Sequence, residues 1–203
     1  MLQPAPRVRP LHPLTRLLRG TAVVASVPRE ILPAAAVIPS YRLTDHRERS
    51  VGNVVHQALE EFSRRSPLPG AASEADRQRW RRALQRDGLR AAELETAAQA
   101  VISCVDQSLR SGGCGRWLLS SEHLQAHSEW SLTTVDAEGR IRDIVVDRSF
   151  IDKATGVRWI IDFKTSSPAP GEPLDAFTQR ECTLYGEQLR GYRDAVHRLG
   201  NEP

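Results

Sequence analysis

An α/β domain, in which helices flank a three-strand antiparallel meander within a mixed central sheet, is the fold this sequence predicts. Three observations predict it. Apolar residues recur at helical spacing through three stretches between residues 51 and 110. The period then falls to two over Glu129–Val135, Ile141–Phe150 and Gly156–Lys164, which are β-branched or aromatic runs joined by turn chemistry. Asp175–Leu199 returns to the helical period. A chain of 203 residues suits one domain. With 40% hydrophobic and 26% charged residues it can build a core, and wholesale disorder is excluded.

Taken in order, residues 1–50 hold seven of the 13 prolines and no sustained period. They read as an extended lead-in or linker, with a short helix near Pro13–Leu18, ahead of a domain at 51–203. From Val51 the residues Val54, Val55, Ala58, Leu59 and Phe62 make one apolar stripe, and Pro67, Pro69 and Gly70 end that helix. Ser73–Asp87 and Leu89–Arg110 are two further helices, with Gly88 between them and Gly112-Gly113 after. Asp136-Ala137-Glu138-Gly139 and Asp152-Lys153-Ala154-Thr155 turn the meander. Ser166–Pro173 is a Pro-rich loop, and the last helix sets Leu184, Leu189 and Val196 on its apolar side.

Composition excludes several classes. No apolar run approaches the roughly 20 residues that span a bilayer, so no membrane partner is expected. Three cysteines without a CxxC pair argue against a disulfide framework, a zinc ribbon or an iron–sulfur staple, and suit a reducing cytoplasm. Of 28 basic residues only Lys153 and Lys164 are lysines. Net charge is +3; eight Arg against Glu30, Asp45 and Glu48 put +5 on the first 50 residues, which leaves −2 on the rest. That basic lead-in is compatible with phosphate backbones and equally with a solvated arm.

Folding the meander on paper is more informative. In Trp159–Lys164, alternation puts Trp159, Ile161 and Phe163 on one face and Ile160, Asp162 and Lys164 on the other. A hairpin centred near Ala154 sets Asp162 opposite Val146 or Asp147. The hairpin centred near Ala137–Glu138 sets Glu129 opposite the same pair. Three carboxylates, Glu129, Asp147 and Asp162, thus reach one level of the sheet with Lys164 beside them. Clustered acids repel unless a cation lies between them, and hard oxygen donors suit Mg²⁺ or Mn²⁺. A lysine alongside can orient water or stabilise charge on a phosphoryl group, so the chemistry points to a metal-dependent phosphodiesterase. Neutralising Asp162 is expected to relieve repulsion. The plainer reading is a cross-strand Asp–Lys salt bridge near a strand end.

These residues resemble a known pattern. Asp147 within Val-Val-Asp-Arg-Ser-Phe, followed by Asp162-Phe163-Lys164-Thr165-Ser166, is similar to the PD-(D/E)xK nuclease superfamily, with Val146 in place of the Pro. Gly52-Asn-Val-Val-His56-Gln-Ala-Leu59-Glu60 resembles the first-helix motif of its RecB-type branch. Tyr185, Gln188, Leu189 and Tyr192 resemble that branch's C-terminal Tyr-x-x-Gln-Leu-x-x-Tyr helix. The likeness runs from His56 to Tyr192 and is nearest to the nuclease domain of AddA-type helicase–nucleases, the exonuclease V beta subunit.

The resemblance implies a restriction-endonuclease-like fold and Mg²⁺- or Mn²⁺-dependent hydrolysis of DNA. Asp147 and Asp162 would hold metal with His56, Lys164 would be the catalytic lysine, and Glu129 a further acid. Gln188, Tyr192 and Tyr185 would line the site or contact DNA. It also implies a helicase motor on the same polypeptide, a second helicase–nuclease subunit, and a bacterial, nucleoid-associated location. The branch that carries an iron–sulfur cluster uses four spaced cysteines, and no GxxxxGK[ST] loop is present, so neither a cluster nor an ATP site is expected in this chain. Relatives place one more strand after the last helix, where only Gly200–Pro203 remain, so a fragment of a longer protein is expected. On spacing alone, His56 reads as a core histidine and Tyr185, Gln188 and Tyr192 as packing residues. The run Arg77, Arg79, Arg81, Arg82, Arg86 and Arg90 reads better as a solvated face than as a phosphate track. A non-catalytic DNA-binding scaffold and a stand-alone nuclease are the alternative functions.

Overall fold

The computed structural model describes residues 46–135 and 139–199. The expected helix near Pro13–Leu18, most of the first turn and the residues after Leu199 lie outside them. Five helices and three strands follow in the order α1 (His46–Ser63), α2 (Glu74–Arg86), α3 (Ala91–Ser108), α4 (Cys114–Leu119), β1 (Leu124–Val135), β2 (Ile141–Ile151), β3 (Arg158–Ile161) and α5 (Leu174–Leu199). Among the described residues the sheet is the antiparallel meander β1-β2-β3. No described helix is long and apolar enough to cross a membrane.

The helical half forms as its periodicity dictates. Val54, Val55, Ala58, Leu59 and Phe62 of α1 are all buried, packed with Trp80 and Leu84 of α2 and with Leu94, Val101 and Val105 of α3. Helix α1 starts five residues ahead of Val51, because His46–Ser50 are helix-compatible but polar and add nothing to the apolar stripe. Ser73 caps α2 in a reciprocal box with Asp76. Helix α4 has no counterpart in the periodicity of the sequence, since six residues are too few for a period to register. It docks tightly on α3, where a Cβ at Gly115 would lie 2.4 Å from the Ser108 carbonyl oxygen. Arg116 clamps it by donating to the carbonyls of Pro69, Leu109 and Leu68.

The sheet carries the hydrophobic effect on both sides. Phe150, Ile161 and Phe163 join the large core with the helices. Leu132 and Val146 meet Tyr192, Ala195 and Val196 of α5 in a second, smaller one, which Ile160 packs against. Leu184 departs from expectation: it is 48% exposed. The buried stripe of α5 runs through Phe177, Glu181, Tyr192 and Val196, and Leu184 falls off it.

Both outer strands differ from the expected spans. Strand β1 begins at Leu124 instead of Glu129, since a register shift between Leu124 and His127 and a positive φ at Gln125 break the alternation there. Strand β3 ends at Ile161, short of Lys164. Beyond it the main chain changes partners: the Phe163 N–H donates to Asp147 Oδ2 at 2.6 Å and its carbonyl accepts from His56 Nε2 at 2.8 Å. The turn between β2 and β3 is closed by Asp152, which accepts from the Thr155 hydroxyl, and by Gly156 at φ +66°.

Candidate active site

Where β3 leaves the ladder, the sheet register stacks acids. Arg148 pairs with Ile161, so Asp162 continues across from position 147. On the other side Ser128 pairs with Arg148 and Trp130 with Val146, which brackets Glu129 against Asp147. Glu129 has φ +48°, a left-handed conformation uncommon away from glycine and therefore held by its surroundings. Helix α1 brings His56 to the same place.

His56, Glu129 and Asp147 converge: one ligand atom from each lies within 4.8 Å of the others. The hydrogen bond from His56 identifies its tautomer. A carbonyl oxygen can only accept, so Nε2 carries the proton that is given to Phe163. In the neutral ring the lone pair is then on Nδ1, 3.6 Å from Asp147 Oδ2. A lone pair and two carboxylates facing one another have no proton to share, and a cation is the partner that satisfies all three. The hard oxygens with one imidazole suit Mg²⁺ or Mn²⁺.

The electrostatics agree. Asp147, with its side chain 11% exposed, is held above the usual carboxylate range by burial and by repulsion from Asp162, against the pull of His56. Burial and the neighbouring Asp147 push Glu129 up as well.

Asp162 is arranged differently. It is 4% exposed, and its Oδ2 lies 2.6 Å from Lys164 Nζ. Gln188 Nε2 donates to its Oδ1 at 3.4 Å and to the Tyr192 hydroxyl at 2.5 Å. Asp162 therefore stands beside the three-residue group, engaged with the lysine, whereas the resemblance implied Asp147, Asp162 and His56 as the ligands. Burial opposes the charge on Lys164, yet Asp162 outweighs it and raises the lysine above its ordinary value. The ring of Tyr185 lies 4.4 Å below Nζ. All eight residues singled out in the sequence thus gather at one end of the sheet.

Two groups here lie outside the set that the sequence singles out. Glu181, fully buried one helical turn before Tyr185, takes the Ser166 hydroxyl at 2.6 Å and Arg180 at 2.6 Å, which ties the segment after Lys164 to α5. Arg148, next to Asp147, is buried among neutral acceptors, and burial lowers it to about 10. The spacing from Glu181 to Tyr185 could have flagged the first; nothing distinguished the second from any strand arginine. The arginine run belongs to the solvent face: Arg77, Arg79, Arg81 and Arg90 pair with Asp106, Glu61, Glu95 and Glu93.

Neither a curated protein nor a solved structure matches the chain significantly. A family model does, over residues 32–203, a span that contains every residue of the site. With an Asp on one strand, an Asp-x-Lys leaving the next and a mixed His and carboxylate group between them, the chain belongs to the PD-(D/E)XK nuclease superfamily.

Proposed function

We propose that this nuclease is a Mg²⁺- or Mn²⁺-dependent deoxyribonuclease of the exonuclease V kind. It would be the nuclease domain of an ATP-dependent helicase–nuclease that processes double-strand breaks for recombinational repair. The observation that carries the chemistry is the Lys164–Asp162 ion pair set against the His56, Glu129 and Asp147 group. The helicase association rests on the order of the motifs at Gly52–Glu60, Asp147, Asp162–Lys164 and Tyr185–Tyr192. In this reading residues 51–203 are the nuclease domain and the Pro- and Arg-rich segment before them is a linker. The motor lies elsewhere on the polypeptide, a second subunit completes the assembly, and the location is the bacterial cytoplasm at the nucleoid.

His56, Glu129 and Asp147 would hold the divalent cation, with Asp162 alongside. When bound, it supplies Lewis acidity toward a phosphoryl oxygen and the attacking water. The remaining work falls to the chain. Lys164 stays an ammonium at neutral pH, so it acts as a fixed positive charge: it orients the nucleophile and stabilises the negative charge that builds on the phosphoryl oxygens. Asp162 aims Lys164, and Gln188 with Tyr192 hold Asp162. Tyr185 supports the ammonium from below. His56 keeps Nδ1 directed at the ligand group because Nε2–H is anchored on Phe163.

The test is degradation of linear DNA in Mg²⁺ and in Mn²⁺ by this chain beside its Lys164→Ala variant. Cleavage by the parent, lost in chelator and in the variant, is expected. Equal cleavage by both would overturn the assignment. A metal-dependent rise in melting temperature without cleavage would separate a built site that needs its motor from a scaffold with no site.

A further inference from the structure

A cleft of about 560 Å³ opens beside Glu129, between the end of α1 and strand β1, and the mechanism above makes no use of it. Arg148 lines it although only 3% exposed. Its guanidinium donates to the Leu118 carbonyl at 3.2 Å, the Ser120 carbonyl at 2.7 Å and Ser128 Oγ at 2.8 Å. These use three of five N–H donors, and every acceptor is neutral. Among the described residues no carboxylate pairs with it, and a buried cation without a counter-charge is costly. The proton order around it is determined. Ser63 gives its hydroxyl proton to the Glu60 carbonyl, so in the 2.7 Å contact between the two hydroxyls Ser128 donates to Ser63. Ser128 thereby presents its oxygen to Arg148, and both hydroxyls are spent on neutral partners.

A second feature lies in the same cleft. His127 stacks on Trp130 with ring centroids 4.3 Å apart, and His127 itself is exposed. Its exposed ring and the buried guanidinium of Arg148 line the same cleft. Aromatic platform and cation together are what a nucleotide of a single strand binds, one taking the base and the other the phosphate. Glu129 is shared with the metal-ligand group, so an occupant of the cleft abuts the reacting centre.

We propose that this cleft is a phosphate subsite for a nucleic-acid strand, in which Arg148 holds a phosphate of a nucleotide next to the one attacked and His127 carries its base. The proposal rests on the nuclease reading for the identity of the strand, but its test does not require cleavage.

Binding is measured by fluorescence anisotropy in chelator, with the full chain and short single-stranded DNA probes phosphorylated at one end, at the other, or at neither. Salt is varied throughout. Arg148→Gln removes the charge, and Ser128→Asp leaves the guanidinium in place but gives it an internal counter-charge. Each is expected to weaken binding roughly tenfold and to lower the salt slope by about one. Loss confined to one phosphorylated probe identifies a terminal phosphate, and equal loss on all three identifies an internal phosphodiester. His127→Ala weakens every probe with the salt slope unchanged. Since Arg148 also fastens the end of α4, Ser128→Asp decides the matter if Arg148→Gln melts early. A folded Ser128→Asp protein with the parent's affinity and salt slope on all probes overturns the subsite. Cleavage with no such binding contrast removes the subsite alone; the contrast with neither cleavage nor a metal-dependent melting shift in Mg²⁺ or Mn²⁺ removes the nuclease reading alone.

Discussion

Asp76 in the helical half and Asp147 on the sheet are both carboxylates withdrawn from water, and the fold treats them in opposite ways. Asp76 receives Arg65 at 2.6 and 3.1 Å, Arg79 at 2.7 Å, and both the N–H and the hydroxyl of Ser73. The Arg65 hydrogen bonds hold it well below the usual carboxylate range. Asp147 accepts one backbone N–H and faces His56 Nδ1 at 3.6 Å, while Glu129 and Asp162 stand near. Burial and repulsion raise it. The helical half uses its charges on itself, as structural ion networks do. The sheet end keeps negative charge that the described residues leave only partly neutralised, which is the electrostatic mark of a site waiting for something positive.

The comparison can be broken at its strongest point first. Lys164→Ala removes the cation paired with Asp162, and DNA cleavage in Mg²⁺ should fall on the order of 10²–10³-fold with the circular dichroism spectrum kept. An equally active variant would mean that the sheet end is no more catalytic than the helical half. In that half, Asp76→Ala takes away a helix cap and a buried counter-charge together. It should cost about 3 kcal/mol in urea unfolding and leave metal binding untouched.

Asp162→Asn sharpens the contrast within the site. Sequence alone suggested that neutralising this acid would relieve repulsion. The 2.6 Å contact with Lys164 reverses that expectation, because the change leaves a largely buried ammonium without its counter-charge. The metal-free protein should therefore melt lower than the parent, and a higher melting temperature would show that repulsion outweighs the ion pair. Relief of repulsion is expected instead at Glu129, which is raised by burial and Asp147.

The smallest effect is the pH dependence of that relief. A carboxyl whose folded pKa lies above its unfolded value binds more protons in the native state, so stability falls as pH rises through the interval between the two. The cost is complete above the raised value. Melting of metal-free Glu129→Gln at neutral pH should thus exceed the parent by a few degrees, with the gap closing in mild acid. Its metal-induced shift should also shrink. Asp76 works the other way: its stabilising contribution is present above the ordinary carboxylate range and is lost as pH falls toward its lowered value. A gap that widens in acid would refute the assignment of raised values to the sheet end.

Much of this was legible beforehand, for reasons that differ by residue. The α1 stripe from Val54 to Phe62 declares itself because a helix buried on one face repeats every three to four residues. The level of Glu129, Asp147 and Asp162 follows from counting outward from two turns, since antiparallel strands pair symmetrically about a hairpin. Leu184 lies off the buried stripe that the sequence assigns it to, because one residue's error around a helix is a rotation of 100°, enough to move a side chain from the core to the surface. Helix α4 escaped because it is shorter than two turns. The end of β3 escaped because its alternation continues through Lys164 while its hydrogen bonds do not.

The sequence by itself therefore determined the long helices, the meander, the family pattern and which residue types share the site. Those depend on periodicity, turn chemistry and spacing, all local along the chain. Tertiary structure alone decided how the charges are apportioned: that His56 offers Nδ1 because Phe163 takes the Nε2 proton, that Glu129 joins His56 and Asp147, and that Asp162 turns to Lys164. It also decided that Arg148 is buried beside a cleft with no carboxylate partner among the described residues. Most of these are matters of which partner lies within about 3–5 Å across elements far apart in sequence, and at that range the order of residues along the chain no longer specifies who meets whom.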